Sequence, residues 1–340
     1  MFGLIYKGDG ILKIEEFDLR KPGREEVLVK VLACGICGTD LRIVRGESGS
    51  SPPVVLGHEF GGVVEEVGEN VESVSPGDRV VVDPNICCGK CRFCRAGRPN
   101  LCENLTAIGV DINGGFAEYC IVPERQLFKL KRDVALINMV MVEPLSCVLN
   151  IFNRVKIDVC DRVIIIGGGI IGYTLWQLLK IMGISNYAIL EIVRERVKML
   201  QRLSVENVFN PQEVDVREAV GWLSEGADVV VECAGSSGAF ELGFSLLGRG
   251  GRMVVFGVAP FEEQVSIKLY DIFRKEVEII GSFVNPFTFD MAVCLINSGK
   301  MDYSSVEYRV FSLSDYVKAF EAARERKYLK VLMRPEREDG

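Results

Sequence analysis

The chain has 340 residues, 26% charged and 48% hydrophobic, with 40 basic side chains against 47 acidic ones and a net charge of −7. That length fits about two domains, and the composition is globular rather than disordered or fibrous. The acidic balance argues against nucleic-acid and membrane-surface partners, and the longest uncharged run, between Arg162 and Lys180, is too short and too broken by glycines to span a bilayer.

The opening MFGLIYKGDG lacks a basic start followed by an apolar core, so no secretory leader is expected and the setting reads as cytoplasmic. From Glu26 (EVLVKVLA), Gly61 (GGVVEEVG) and Asp78 (DRVVVD) the chain reads as short strands split by Gly and Pro, the pattern of a small barrel or sandwich. After about Pro144 the pattern changes. Strands are predicted near Arg162, Tyr187, Asn207, Asp228, Arg252 and Glu278, separated by helical stretches such as those from Arg194 and Ser237. This alternation predicts an α/β, doubly wound parallel sheet. A helix from Phe289, a strand near Glu307 and a helix from Ser314 follow, and the tail RPEREDG reads as frayed.

The strand run RVIII is followed by Gly167-Gly168-Gly169-Ile170-Ile171-Gly172 and a helical stretch, which matches G-x-G-x-x-G in the required context. Gly167 suits the tight turn, Gly169 the approach of a pyrophosphate, and Gly172 the close packing of helix on strand. The helix N-terminus offers free N–H groups to the phosphates. Glu191 ends the second strand, where a carboxylate accepts from ribose hydroxyls and repels a 2′-phosphate. That favours NAD over NADP, although Arg194 and Arg196 just beyond pull the other way.

Twelve cysteines in a reducing setting point to metal or catalytic chemistry rather than disulfides. Cys88, Cys91, Cys94 and Cys102 form a dense set that suits a closed, structural zinc site. An iron–sulfur cluster takes similar ligands, and Cys87 is the spare. Cys34-Gly35-Ile36-Cys37-Gly38-Thr39-Asp40, Gly57-His58-Glu59 and Val142-Glu143-Pro144-Leu145 supply a thiolate, the only histidine and carboxylates, a set able to hold zinc with an open position. Taken singly they have plainer readings. Cys34 and Cys37 form a C-x-x-C redox candidate, although the helix that such a motif usually opens in a βαβ setting is not expected here. A lone histidine is more often an ordinary polar residue, and Glu143 suits any helix start.

Taken together, CGICGTD, GHEFGGVV, CGKCRFCRAGRPNLC, VEPLS, GGGIIG and the late GSF resemble the zinc-containing medium-chain alcohol and polyol dehydrogenases, in family order and over nearly the whole chain. GHE with EPLS looks most like the sorbitol and threonine dehydrogenase branch. The resemblance implies a Rossmann domain (147–281) inserted in a GroES-like catalytic domain (1–146 and 282–340), with a structural-zinc lobe at 87–102. It implies catalytic zinc on Cys37, His58 and Glu59, with Glu143 as fourth ligand or partner of the zinc-bound water. Asp40 would orient His58, Thr39 would relay the proton through the ribose hydroxyls, and Ile171 would pack behind the nicotinamide. Gly167, Gly169, Ile170, Ile171, Gly172, Glu191 and Arg196 would line the cofactor.

The implied reaction moves hydride between NAD and a secondary alcohol of a polyol, sugar or sugar acid, in a homo-oligomer, dimer or tetramer. Leu41-Arg42-Ile43, Asn150 and Val284-Asn285-Pro286 depart from the polyol pattern and argue against sorbitol itself. L-threonine and aldose dehydrogenases are the alternatives within the family. An inactive NAD-binding regulatory protein is the alternative from another class, and a zinc-free quinone reductase of the same superfamily is the third.

Overall fold

Valine-rich runs and the glycines between them become antiparallel strands in the first third of the chain. A computed structural model describes residues 1–335, so positions 336–340 of the tail lie outside the described residues. The strands are β1 (Phe2–Tyr6), β2 (Leu12–Glu16), β3 (Glu26–Gly35), β4 (Val54–Val55), β5 (Glu59–Val67), β6 (Arg79–Val82), β7 (Asn85–Ile86), β8 (Thr106–Ala107), β9 (Tyr119–Pro123) and β10 (Leu127–Lys129). Helix α1 (Gly38–Val44) follows β3, α2 (Arg92–Arg95) lies between β7 and β8, and α3 (Leu136–Val140) and α4 (Val142–Arg154) end the region.

The alternation then sets in with β11 (Val163–Ile166), α5 (Ile170–Ile181), β12 (Tyr187–Leu190), α6 (Arg194–Arg202), β13 (Val208–Phe209), α7 (Val216–Ala219) and β14 (Ala227–Glu232). It continues through α8 (Ser237–Leu246), β15 (Leu247–Val255), α9 (Leu269–Lys275) and β16 (Glu278–Gly281). The chain closes with α10 (Phe289–Asn297), β17 (Tyr308–Ser312), α11 (Tyr316–Arg324) and β18 (Lys330–Arg334).

Two compact units result. The first joins Met1–Ser146 to the segment from Asn285 onward. Its main sheet runs β10-β6-β5-β3-β18-β17, with β9 also on β3, and a smaller sheet runs β2-β1-β4. The β3–β5 ladder shifts register twice, between Leu28 and Val29 and between Val31 and Ala33. Bulges of this kind bend and twist a sheet. The core beneath holds Leu4, Val29, Phe60 and Phe116, and α11 contributes Phe320 edge-on to Phe116 at 6.1 Å.

The second unit, Cys147–Val284, is a parallel sheet in the order β13-β12-β11-β14-β15-β16. That is the Rossmann order, in which the chain reverses its direction of growth between β11 and β14. Its central strands carry no polar alternation: VIII in β11 is buried throughout. Strands covered on both faces read this way. Arg162 ties the feet of β11 and β14 through a two-pronged pair with Asp228 at 2.9 and 3.0 Å. The unit runs past residue 281, where the sequence places the crossover. Buried Asn150 holds the next residues through Ser282 Oγ at 3.3 Å and the Phe283 carbonyl at 3.4 Å.

Ile164 lies at the centre of this sheet with no exposed surface. Ile164→Ala is expected to cost about 2–5 kcal/mol through lost burial and the cavity left behind. The check is urea unfolding followed by the fluorescence of Trp176 and Trp222, both in this unit. An unchanged midpoint would place Ile164 outside the core.

Candidate active site

Strand β3 ends at Gly35, and Cys37 then caps α1. A helix therefore does follow the C-x-x-C segment, contrary to the sequence expectation, but β3 pairs antiparallel with β5 and β18, so the setting is not βαβ. Glu59 opens β5 directly across the ladder from Gly35, and His58 immediately precedes it. This brings a Cys37 sulfur, a His58 ring nitrogen and a Glu59 carboxylate oxygen within 4.8 Å of one another. Cys34, at the end of the same strand, is fully buried, and burial, reinforced by Asp40 and Glu59, pushes its thiol well up. It stays protonated and stands apart from the donor set.

Asp40 is fully buried in the first turn of α1. Its Oδ2 accepts from the Cys37 N–H at 2.8 Å, and its Oδ1 stands 3.5 Å from His58 Nδ1. Burial alone lowers the His58 pKa. The charges of Asp40 and Cys37 more than offset it and raise the pKa well above the ordinary value. The surroundings thus draw positive charge onto the imidazole. A half-buried thiol beside a buried imidazole and a buried carboxylate in such a field fits a zinc ion.

Lys330 went unnoticed in the sequence. It is buried at the start of β18 and forms an ion pair with Glu59 Oε2. A Cβ at Gly35 would lie 2.8 Å from Lys330 Cε and would collide with the Glu59 carboxylate, so only glycine leaves room for the pair. Burial lowers the lysine pKa, but Glu59, then Cys37 and Glu143, outweigh it and raise the pKa. Glu143, buried in the first turn of α4, therefore lies within electrostatic reach of Lys330, although it is not among the donors within 4.8 Å of one another. Asn285 donates to Ser146 Oγ at 2.9 Å, and Ser146 Oγ in turn donates to the Glu143 carbonyl at 2.6 Å. Asn285 also reaches Asp83 at 3.2 Å, so this departure from the polyol pattern serves packing. Thr39 is half-buried in α1.

The second cluster is Cys88, Cys91, Cys94 and Cys102, whose sulfurs all lie within 4.8 Å of one another. None is bonded in a disulfide, and Cys91 and Cys94 stand 3.5 Å apart, close to the roughly 3.8 Å edge of a tetrahedron of zinc–sulfur bonds. Helix α2 inside the lobe buries none of its residues, so no apolar core holds it. Backbone N–H groups pull Cys88 down to about 6, while burial pushes Cys94 up to about 12. Four thiolates this close need a cation to ionise together. Cys87 lies outside the set.

In the second unit the glycine loop has the predicted shape. Gly167 takes φ +105°, which favours glycine, and a Cβ on Gly172 would strike the Gly167 carbonyl. Ile170 and Ile171 form the partly exposed first turn of α5, and a Cβ on Gly169 would meet only the Arg196 guanidinium, at 3.5 Å. Glu191 is buried and turned towards the loop. Its Oε2 accepts from the Gly168 N–H and its Oε1 from the Val193 N–H, both at 2.8 Å, and Arg196 stands 3.8 Å away. Arg194 is engaged with Glu213 at 2.5 Å.

Two family models match the chain. One is the alcohol dehydrogenase GroES-like domain, over residues 23–132, and the other is the zinc-binding dehydrogenase, over residues 171–297. A sorbitol dehydrogenase of Halalkalibacterium halodurans is 31% identical, covering 96% of this chain and 97% of its own. An L-threonine 3-dehydrogenase of Caldanaerobacter subterraneus is 35% identical, covering 97% and 96%. Among solved structures, a zinc-binding dehydrogenase of Sinorhizobium meliloti bound to NADP is 36% identical, with a TM-score of 0.90 and coverage of 98% of this chain and 99% of that one. With its fold, its donor clusters and its glycine loop alike, the chain belongs to the zinc-containing medium-chain alcohol and polyol dehydrogenases.

Proposed function

We propose that this protein oxidises a secondary alcohol of a polyol, sugar or sugar acid, reversibly, with NAD as hydride acceptor. The observation that carries the reading is the Cys37–His58–Glu59 set, its histidine and glutamate buried, completed by the charge of Asp40 and Lys330. In this reading Met1–Ser146 with the segment from Asn285 is the catalytic domain, and Cys147–Val284 binds the dinucleotide.

Cys37, His58 and Glu59 would hold the catalytic zinc, and Cys88, Cys91, Cys94 and Cys102 the structural one. When bound, the catalytic ion supplies a Lewis acid that acidifies the alcohol, and the nicotinamide supplies the hydride acceptor. Asp40 orients His58 and the turn that carries Cys37. Lys330 holds Glu59, and Glu143 adds a second carboxylate beside them. The Thr39 Oγ1 takes the alcohol proton and passes it towards solvent. On the cofactor side, the Gly167–Gly172 loop and the start of α5 receive the pyrophosphate, and Ile170 and Ile171 flank it, with Ile171 against the nicotinamide. Glu191, fixed by two N–H donors, presents its remaining lone pairs to the ribose. Arg196 beside Gly169 is the feature that would favour a 2′-phosphate instead.

A homo-oligomer, dimer or tetramer, belongs to the same reading: β16 is the open edge of its sheet and carries exposed Ile279, with exposed Phe283 just beyond. Among the described residues no helix is long and apolar enough to cross a membrane. We place the enzyme in the cytoplasm.

Four experiments test these roles. Cys37→Ser or His58→Ala should lose one of two zinc equivalents and all turnover while NADH still binds. Cys91→Ser should lose the other equivalent and lower the melting temperature, with the chemical step spared in the surviving protein. Elemental analysis and calorimetry read both, and a full zinc complement in either variant refutes the ligand set. A panel of polyols, aldoses, sugar acids and L-threonine, scored by NADH production, should give its highest kcat/KM with a polyol, sugar or sugar acid. Preference for threonine selects the threonine branch, and no turnover with any member favours the inactive regulatory reading. Glu191→Ala should narrow the NAD over NADP ratio of kcat/KM by about tenfold, given the usual worth of a charged hydrogen bond. An unchanged ratio removes Glu191 from the ribose.

A further inference from the structure

Glu232 ends β14 with its side chain buried. Its Oε1 accepts from the N–H of Ala234 at 2.7 Å and of Gly235 at 2.6 Å. Its backbone carbonyl accepts from Phe256 at 3.0 Å and Gly257 at 2.8 Å, at the end of β15. One residue thus ties together the turns that leave two neighbouring strands. The turns fit closely: a Cβ on Gly257 would lie 2.7 Å from Glu232 Oε2. The same β14 turn lies against the fingerprint, because a Cβ on Gly167 would meet the Ala234 nitrogen at 3.2 Å.

Among the described residues no lysine, arginine or histidine forms an ion pair with Glu232, and its partners are backbone N–H groups alone. Burial raises its pKa above the ordinary carboxylate value, and the N–H groups of Gly235, Ala234 and Gly257 offset part of that rise. Ionised, it is a buried negative charge held by N–H donors and without a counter-cation among the described residues, an expensive arrangement for a fold to keep.

Its place in the sheet indicates what the charge faces. Strand order reverses between β11 and β14. A dinucleotide lies across such a reversal, with one mononucleotide on each half of the sheet. Glu191, at the end of β12, marks the adenosine half. Glu232, at the end of β14, therefore belongs to the nicotinamide half. The oxidised nicotinamide ring carries a positive charge and the reduced ring is neutral. Resting on the dinucleotide reading above, we propose that Glu232 is a specificity-determining residue for the redox state of the cofactor: its uncompensated charge tightens the oxidised form relative to the reduced one. A residue that only shaped the turns would affect both forms equally.

The test is calorimetric titration of the zinc-loaded enzyme, without alcohol substrate, with NAD+ and with NADH. Glu232→Gln keeps the size and an acceptor oxygen for Ala234 and Gly235 but removes the charge. It should weaken NAD+ by about three- to tenfold relative to NADH. Glu232→Asp keeps the charge and disturbs the turn contacts, so it should weaken both cofactors while holding their ratio, and it serves if the glutamine variant does not fold. Equal shifts for both cofactors in Glu232→Gln, no shift at all, or a lost ratio in Glu232→Asp would overturn the proposal. Failure of the wild type to bind either NAD(H) or NADP(H) would overturn the dinucleotide reading itself.

Discussion

Half-buried Cys37 and the buried Asp40 and Glu59 bring three potential anions close together, and Lys330 alone cannot balance them. Buried charge is tolerated only when it is paired and hydrogen-bonded, since an isolated buried ion costs several kcal/mol. Much of the local architecture meets that demand. Asp40 is served by the Cys37 N–H and faces the only histidine, Glu59 is matched to a lysine, and Gly35 is stripped of a side chain to admit the pair. What remains is a surplus of negative charge beside a soft sulfur and an imidazole, which suits a divalent ion of zinc type.

The two chemistries lie in separate units. Every thiol of both donor clusters lies in the first unit, and every residue of the glycine loop in the second. The second unit uses what parallel sheets offer by construction: strand tips that end together, a helix N-terminus over the loop, and a reversal of strand order. The first unit needs an antiparallel sheet because Cys37 just past β3, Glu59 at the start of β5 and the counter-charge Lys330 in β18 meet only where the sheet sets those strands side by side.

Features set by local chain geometry were legible in the sequence. The Gly167–Gly172 loop announces itself because turn, approach and packing each demand glycine at fixed spacing, and the four-cysteine lobe because its ligands fall in one short stretch. The six parallel strands were legible too, because their apolar runs alternate with helical stretches along the chain. Lys330 was not, because nothing near it in sequence reveals that β18 returns beside Gly35. Glu232 was passed over for the same reason: its role depends on the neighbouring turn after β15. The sequence offered one clue to Lys330, a lone charge opening the otherwise apolar run KVLM, where a surface strand would alternate.

β18 is the last described strand, yet it supplies the counter-charge for a donor that lies in β5. A ribosome making this chain exposes Cys37, His58 and Glu59 long before Lys330 is polymerised. Until then Glu59 has no lysine to hold it, and the end of β3 at Cys34 and Gly35 lacks its β18 neighbour. The Cys37–His58–Glu59 donor set of the nascent chain is therefore electrostatically unfinished until β18 has been made.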